Sequence, residues 1–570
     1  MQSSKLAERV EIAYELREAP PQQRFERRDA LILLLLFAVQ AFCFLPVCFK
    51  IGFYLDDWLT FWNLHFAPHN FLDLLKASFS DPRMLTRPVQ CFYYAATYLF
   101  FGDRPLPYHL LRFGLEFLGA TFLYLALKKL SSSRFIAALS ALFFLIYPSH
   151  DATHYWIGAG LGPGFGLTLY LASFCLSMYA FGARSRIPYL LAVLSYGLSA
   201  YCYEAFLPLL VMSFCGVLLL SAECRTESRL STMGAVLGWF LPFIAIALSE
   251  PLFQRYILPQ YAHVFLSPSA IDPLYAVNVF VQGLNVSLFS GLWSFLALRI
   301  REALLSFNVF TAFQWLAVCA SSLGVLLLSY DDAKVRYRRL FTAAGLTFLA
   351  SYLTFAVAAG YTPVLDTMLN RVNIGSSVAV SLLLALSLKW LLEHLRVSRA
   401  ETVSAASLIC LPLVSVMVLA DLGMASFWAC SWEVQKNVRF LIQKQAAKIK
   451  AGDAIILADT HRYLNWAPVF DGTWDFQSML RMTLNSNAVS GGVVCDRLEV
   501  KKHEIQDVSV GYLCASYPSN RVTLLLPSQS AWIAVKSSSE FVEQLAKNCS
   551  RMPVSAETLK RWQNSLNSEK

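Results

Sequence analysis

The sequence predicts a polytopic α-helical membrane protein of about eleven transmembrane helices, with interfacial helices in its first extracytoplasmic loop and a small C-terminal α/β extracytoplasmic domain. Three observations predict it. Hydrophobic residues make up 56% of the 570 and charged residues only 15%, with a mean hydropathy of +0.49. Apolar runs near the length of a bilayer crossing, about 20 residues, recur with short basic clusters between them. After Trp428 the chain turns more polar and its apolar runs shorten. The net charge of +9 is no signature of nucleic-acid binding, because many cations sit in these clusters, where they mark topology and meet anionic lipid. The 13 cysteines, mostly in apolar runs, have no metal-ligand spacing.

Residues 1–29 form a cytoplasmic N-terminus, since Arg24, Arg27 and Arg28 precede the first span and cations are retained inside. That span lacks a convincing cleavage site and is a full crossing, so it is expected to be retained. Crossings follow within the membrane domain, 30–428, at 30–50, 105–127, 134–149, 157–182, 187–203, 204–222, 230–250, 306–329, 339–360, 371–393 and 403–425. The clusters Lys128/Lys129/Arg134, Arg184/Arg186, Arg225/Arg229, Lys334/Arg336/Arg338/Arg339 and Arg396/Arg399 then share one side. The run 276–298 disturbs this scheme, because Arg299 and Arg301 follow it. Its Gly and Ser content favours an extracytoplasmic segment, 252–305, with helices in the interface. Residues 187–222 are too long for one crossing and carry Glu204 in the middle. Splitting them there puts Glu204 at the extracytoplasmic turn, as a functional group or as a paired structural carboxylate.

The adjacent carboxylates Asp56 and Asp57 follow the first span directly, on the extracytoplasmic side. Adjacent carboxylates repel, so one is expected to have a raised pKa or to hold a cation, and either state suits a base for an acceptor hydroxyl. Two solvated loop acids are the plain alternative. The aromatic-rich stretches that follow are too short to span and suit interfacial helices.

The segment 429–570 reads as a soluble α/β domain. It opens on a helix at 431–450, with strands at 453–459, 488–495, 521–526 and 531–535. Ser537 to Glu540 is a capping box that starts a helix. Eleven crossings place the domain outside, where Cys495 and Cys514 are candidates for a disulfide.

Several motifs, in order, resemble the GT-C superfamily of integral-membrane glycosyltransferases that use polyprenyl-phosphate-linked sugars, particularly the protein O-mannosyltransferase-like members and related bacterial enzymes. Asp56-Asp57 with Asn63 resembles the family's acidic pair and following Asn, and Arg87-Pro88-Val89 its Arg-Pro-Leu. Pro105-Leu-Pro-Tyr108-His109-Leu-Leu-Arg112-Phe-Gly-Leu-Glu116 resembles Pro-x-x-Tyr-His-x-x-Asn-x-x-x-His, with Arg112 and Glu116 as departures. Pro148-Ser-His150-Asp151-Ala-Thr-His154-Tyr-Trp156 resembles a loop with Pro-x-His-x-Glu and a Trp, and Tyr203-Glu204 a Lys-Glu pair. The likeness covers roughly the first 225 residues.

The resemblance implies an inverting transfer at the outer face of a bacterial inner (plasma) membrane, from a polyprenyl-phosphate-linked sugar to a glycan, lipid or protein acceptor. Asp56 or Asp57 would be the base. The leaving phosphate needs a cation, and Arg371, after the loop 361–370, is preferred over Arg87 because a guanidinium pairs with phosphate in a fork. An interfacial anchor is the plain reading of Arg371. His109, Arg112, Glu116, His150, Asp151 and Glu204 are candidate substrate-binding residues, with Arg112 and Glu116 equally readable as a buried ion pair. Asp57 and Asp151 are candidates for holding a divalent cation. A lipid-linked glycan polymerase or ligase, a transporter and a non-catalytic membrane scaffold are the competing classes.

Overall fold

The computed structural model describes residues 25–183, 185–221, 229–257, 272–357, 361–365, 368–395, 399–509, 512–549 and 554–568. Arg24, Arg184, Arg225 and Arg396 of the basic clusters lie outside them.

Among the described residues, nine helices are long and apolar enough to cross a membrane, and they correspond to nine of the eleven expected crossings. The chain is therefore a polytopic helical membrane protein. The first crossing is α1 (Arg27–Cys48), followed by the short α2 (Asp56–His65), then α3 (Pro88–Phe101) and the long α4 (Pro105–Ser131). Proline at the first position of both α3 and α4 suits a place where no amide hydrogen is needed.

The two remaining expected crossings are shorter helices. One, α5 (Arg134–Ile146), has 13 residues, and every residue from Phe135 to Ile146 is buried. A helix apolar on all sides is stable here because protein surrounds it. The other, α6 (Arg186–Ala200), has 15 residues and exposes Ile187, Leu190 and Leu194. The run 187–222 breaks at Glu204, which starts a 3₁₀ turn, Glu204–Leu209, before the next helix.

Charge sorts to the two ends of the bundle. At one end Asp29 is buried and paired with Lys128 at 2.7 Å and Arg134 at 3.3 Å, while Asp331 accepts from the Ser133 hydroxyl at 2.8 Å and also meets Lys389. The Lys128/Arg134 cluster thus lies beside Asp331, which precedes the cluster at 334–339 in the chain. The other end carries Asp56, Asp57, Glu204 and Arg371.

The run that disturbed the scheme forms α7 (Pro273–Leu288) and α8 (Ser290–Leu305), with a bend of 43° between them. Arg299 on α8 is fully buried and bonded to Asp151, which places it at the Asp57 end and away from the basic end.

The last crossing does not stop at residue 428. A single 47-residue helix, α9 (Arg399–Gln445), runs through that boundary and carries the tail domain on its far end. Beyond it, β1 (Ala454–Leu457) is followed by two short strands, β2 (Tyr463–Leu464) and β3 (Ala467–Pro468), and by α10 (Thr473–Leu484). Next come β4 (Ser490–Val493), β5 (Leu498–Val500), β6 (Glu504–Ser509), β7 (Tyr512–Pro518), β8 (Val522–Leu526), β9 (Ala531–Ala534) and α11 (Ser538–Asn548). The main sheet has the order β4-β1-β8-β9, with β1 parallel to both neighbours and β9 an antiparallel edge. All four β1 residues are buried, as a central parallel strand requires. A second antiparallel sheet, β5-β6-β7, had no counterpart in the sequence reading. Ser537 caps α11 by accepting the Glu540 amide, as expected. Cys495 and Cys514 form no disulfide: the first is buried and the second exposed.

The tail packs on the first loop. The Trp62 indole donates to Asn487 at 2.8 Å, and the Arg481 guanidinium lies 5.2 Å from the Trp62 ring centre. The α/β domain and the carboxylate pair therefore share one side of the bundle.

Candidate functional site

Helix α2 opens on acids, which its dipole favours in the first turn. Its buried side chains are Asp57, Trp58, Phe61 and Leu64, one helical face. The face is clamped by α9: the Tyr54 hydroxyl donates to the Trp428 carbonyl at 2.6 Å and the Trp58 indole to Gln435 at 2.9 Å. The turn before it is strained, because Leu55 has φ +50° and is almost fully buried. Such a backbone costs on the order of 1–3 kcal/mol and persists where packing over-determines it.

Asp57 is buried and Asp56 only partly so. One Asp57 oxygen accepts the Trp156 indole N–H at 3.0 Å and the Gly158 amide at 2.7 Å, and the other accepts the Tyr54 amide at 3.0 Å. Burial pushes the carboxyl well above the usual carboxylate range, the Asp56 charge adds to this, and the three N–H donors oppose it. A Cβ at Gly158 would lie 3.0 Å from the Asp57 oxygen and 3.1 Å from the Trp156 ring, so a larger residue there would press on the pair.

Trp156 carries a second charge. The Arg371 guanidinium lies 4.9 Å from its ring centre, in the 3₁₀ turn Met368–Asn373. Among the described residues Arg371 has no hydrogen-bond or ion-pair partner, and it is partly exposed. One indole thus joins a buried carboxylate to a cation open to an anion.

Arg87 is different. Its guanidinium forks onto Glu204, with bonds of 2.9 and 2.6 Å, and lies 4.5 Å from the Tyr203 ring centre. Glu204 is therefore a paired carboxylate, and the fork that would grip a phosphate is engaged by it. Arg371 is within electrostatic reach of Tyr203 and Glu204, so the pair borders the Asp57–Trp156–Arg371 group. Next to Arg87, an apolar groove of about 600 Å³ opens between α3 and α6, lined by Pro88, Val89, Phe92, Leu190, Leu194 and Tyr201.

The other sequence-predicted residues form two structural networks behind this group. Arg112 and Glu116 make a buried ion pair at 2.9 Å, joined by His154 at 3.1 Å and Gln40 at 3.3 Å. The His109 ring donates to the Gly52 carbonyl at 3.0 Å. His150 bonds the Thr153 hydroxyl at 2.9 Å through Nδ1, and its Nε2 is buried without a partner. Asp151 is held by Arg299 at 2.9 Å and by Asn370. It is thus committed to a guanidinium and an amide, where the sequence had offered it with Asp57 as a cation ligand. Among the described residues no three His, Cys, Asp or Glu converge as a metal group would require.

Sequence reasoning missed Arg299 and Asn370 as a unit. The Asn370 side chain also accepts the Ala152 amide at 3.1 Å, and Asn373 donates to the Ser149 carbonyl at 3.0 Å. These bonds tie the Trp156 loop to the Arg371 turn. The only hint was that buried polar residues need partners. No family model matches the chain, and no curated protein matches it.

Proposed function

We propose that the protein is an inverting glycosyltransferase of the GT-C type, which moves a sugar from a polyprenyl-phosphate donor to a hydroxyl of an extracytoplasmic glycan, lipid or protein. The observation that carries the reading is Trp156, whose indole holds the Asp57 carboxylate by its N–H and the Arg371 guanidinium by its face. The reaction needs those two charges close together. A base takes the proton of the acceptor hydroxyl, the acceptor oxygen bonds to the anomeric carbon, and the bond from that carbon to the lipid phosphate breaks. Negative charge accumulates on the phosphate, where a guanidinium without a competing carboxylate is the best ligand.

Three further features support it. Burial raises the Asp57 pKa, which strengthens it as a base. The groove beside Arg87 is apolar and opens among lipid-facing leucines, as an isoprenoid tail requires. The Arg87–Glu204 pair stands between groove and site, and fixes the start of α3. In this reading Asp57 is the base, Asp56 orients the acceptor, and the site faces the exterior.

Transfer of labelled sugar from polyprenyl-phosphate donors in membranes tests the proposal. Loss of transfer in Arg371→Gln at normal protein amount supports it. Undiminished transfer in Arg371→Gln would remove the donor-phosphate assignment.

A further inference from the structure

A second arginine flanks the carboxylate pair on the tail side. Arg439 on α9 lies over the Trp58 ring, with its guanidinium carbon 5.4 Å from the ring centre. Trp58 follows Asp57 directly. Among the described residues the Arg439 guanidinium has no hydrogen bond or ion pair, and its Nε is buried without an acceptor.

The residue is only partly exposed, and its Nε is shut off from water. Carboxylates are not lacking nearby. Lys436, one turn earlier, pairs with Glu433 at 2.6 Å. Asp103 is within electrostatic reach, yet it is taken by His65 at 2.7 Å and by the Tyr98 hydroxyl at 2.7 Å. A desolvated cation left unpaired is unfavourable, and an anion from outside relieves it. The arrangement repeats that of Arg371, a guanidinium stacked on a tryptophan with its hydrogen-bonding edge vacant.

We propose that Arg439 with Trp58 binds an anionic group, phosphate or carboxylate, on the acceptor. This rests on the glycosyltransferase reading. The two open guanidiniums then divide the labour: Arg371 takes the donor phosphate and Arg439 the acceptor's charge, with Asp57 positioned between them along the chain of contacts. The acceptor class is an acidic glycan or a phosphorylated glycolipid headgroup.

Phenylglyoxal modification of the purified full chain, read by peptide mass spectrometry at Arg371 and Arg439 separately, tests this without an activity assay. The probes are inorganic phosphate, glucose 6-phosphate and undecaprenyl phosphate. Inorganic phosphate and glucose 6-phosphate should each slow modification of Arg439 by about tenfold at ten times their Kd. Undecaprenyl phosphate should protect Arg371 and leave Arg439 reactive. Unchanged Arg439 reactivity with every probe overturns the inference, as does protection of Arg439 by undecaprenyl phosphate alone. Protection of Arg439 by glucose 6-phosphate with Arg371 unprotected by undecaprenyl phosphate keeps the anion site and removes the donor reading. In transfer assays Arg439→Gln should raise the acceptor KM and leave the donor KM unchanged.

Discussion

Arg87 and Glu204, 117 residues apart in the chain, meet in two parallel hydrogen bonds of 2.9 and 2.6 Å. Both are mostly buried, so the pair is a structural joint between the first loop and the break at residue 204. Removing one partner strands a desolvated charge, which costs about 3 kcal/mol, whereas replacing both by apolar residues costs much less. Thermal unfolding in detergent should therefore show Arg87→Met and Glu204→Met each far less stable than the double variant. A loss in the double variant equal to the sum of the two single losses would show that the pair is not coupled.

Orientation is the second prediction. Reporter fusions after Lys129, Arg186, Arg229, Arg339 and Arg399 should report cytoplasm, and fusions within 60–80 or beyond 435 the exterior. The packing of Trp62 on Asn487 requires the last two groups to agree. A cytoplasmic signal from the tail alone would break the contact between them.

The crossings were legible because about 20 apolar residues have few other uses. Glu204 was legible as a break for the same reason, as a charge inside a run too long for one span. The end of the last helix was not: polarity changes near Trp428, but a helix continues through a change of environment if the local propensities allow it, and α9 does. Strands β5 to β7 escaped because polar residues such as Glu504, Gln506 and Asp507 broke the apolar runs by which strands were sought. In the site, the individual charges were legible and their partners were not. Nothing local says that Arg87 belongs to Glu204, or that Asp151 belongs to Arg299, because such pairs are set by tertiary packing alone.

Arg371→Lys is the third prediction. A lysine keeps the charge but loses the fork and the stacking on Trp156, so transfer should fall about 10²- to 10³-fold, with protein amount unchanged by immunoblot. An interfacial anchor would tolerate lysine, so full activity in this variant contradicts the role given to it.

The pH dependence of turnover is the fourth. A base works ionised, so activity is present above its pKa and lost as the pH falls through it. Burial raises the Asp57 pKa, and the acid limb should therefore lie above the ordinary aspartate value of about 3.9. The residual activity of Asp57→Asn should lack that limb. An acid limb that survives in this variant would belong to another group.

The most direct test of the account is transfer of labelled sugar from a polyprenyl-phosphate donor in membranes that contain wild type, Asp56→Asn, Asp57→Asn or the double variant. Both residues lie outside the bilayer, so insertion should be unaltered, and transfer is compared at equal protein amount by immunoblot. Loss of a positioned base slows turnover by about 10²- to 10⁴-fold, and Asp57→Asn is predicted to fall in that range, more severely than Asp56→Asn. Wild-type transfer in both single variants and in the double variant would contradict the central claim and leave a membrane scaffold as the better reading.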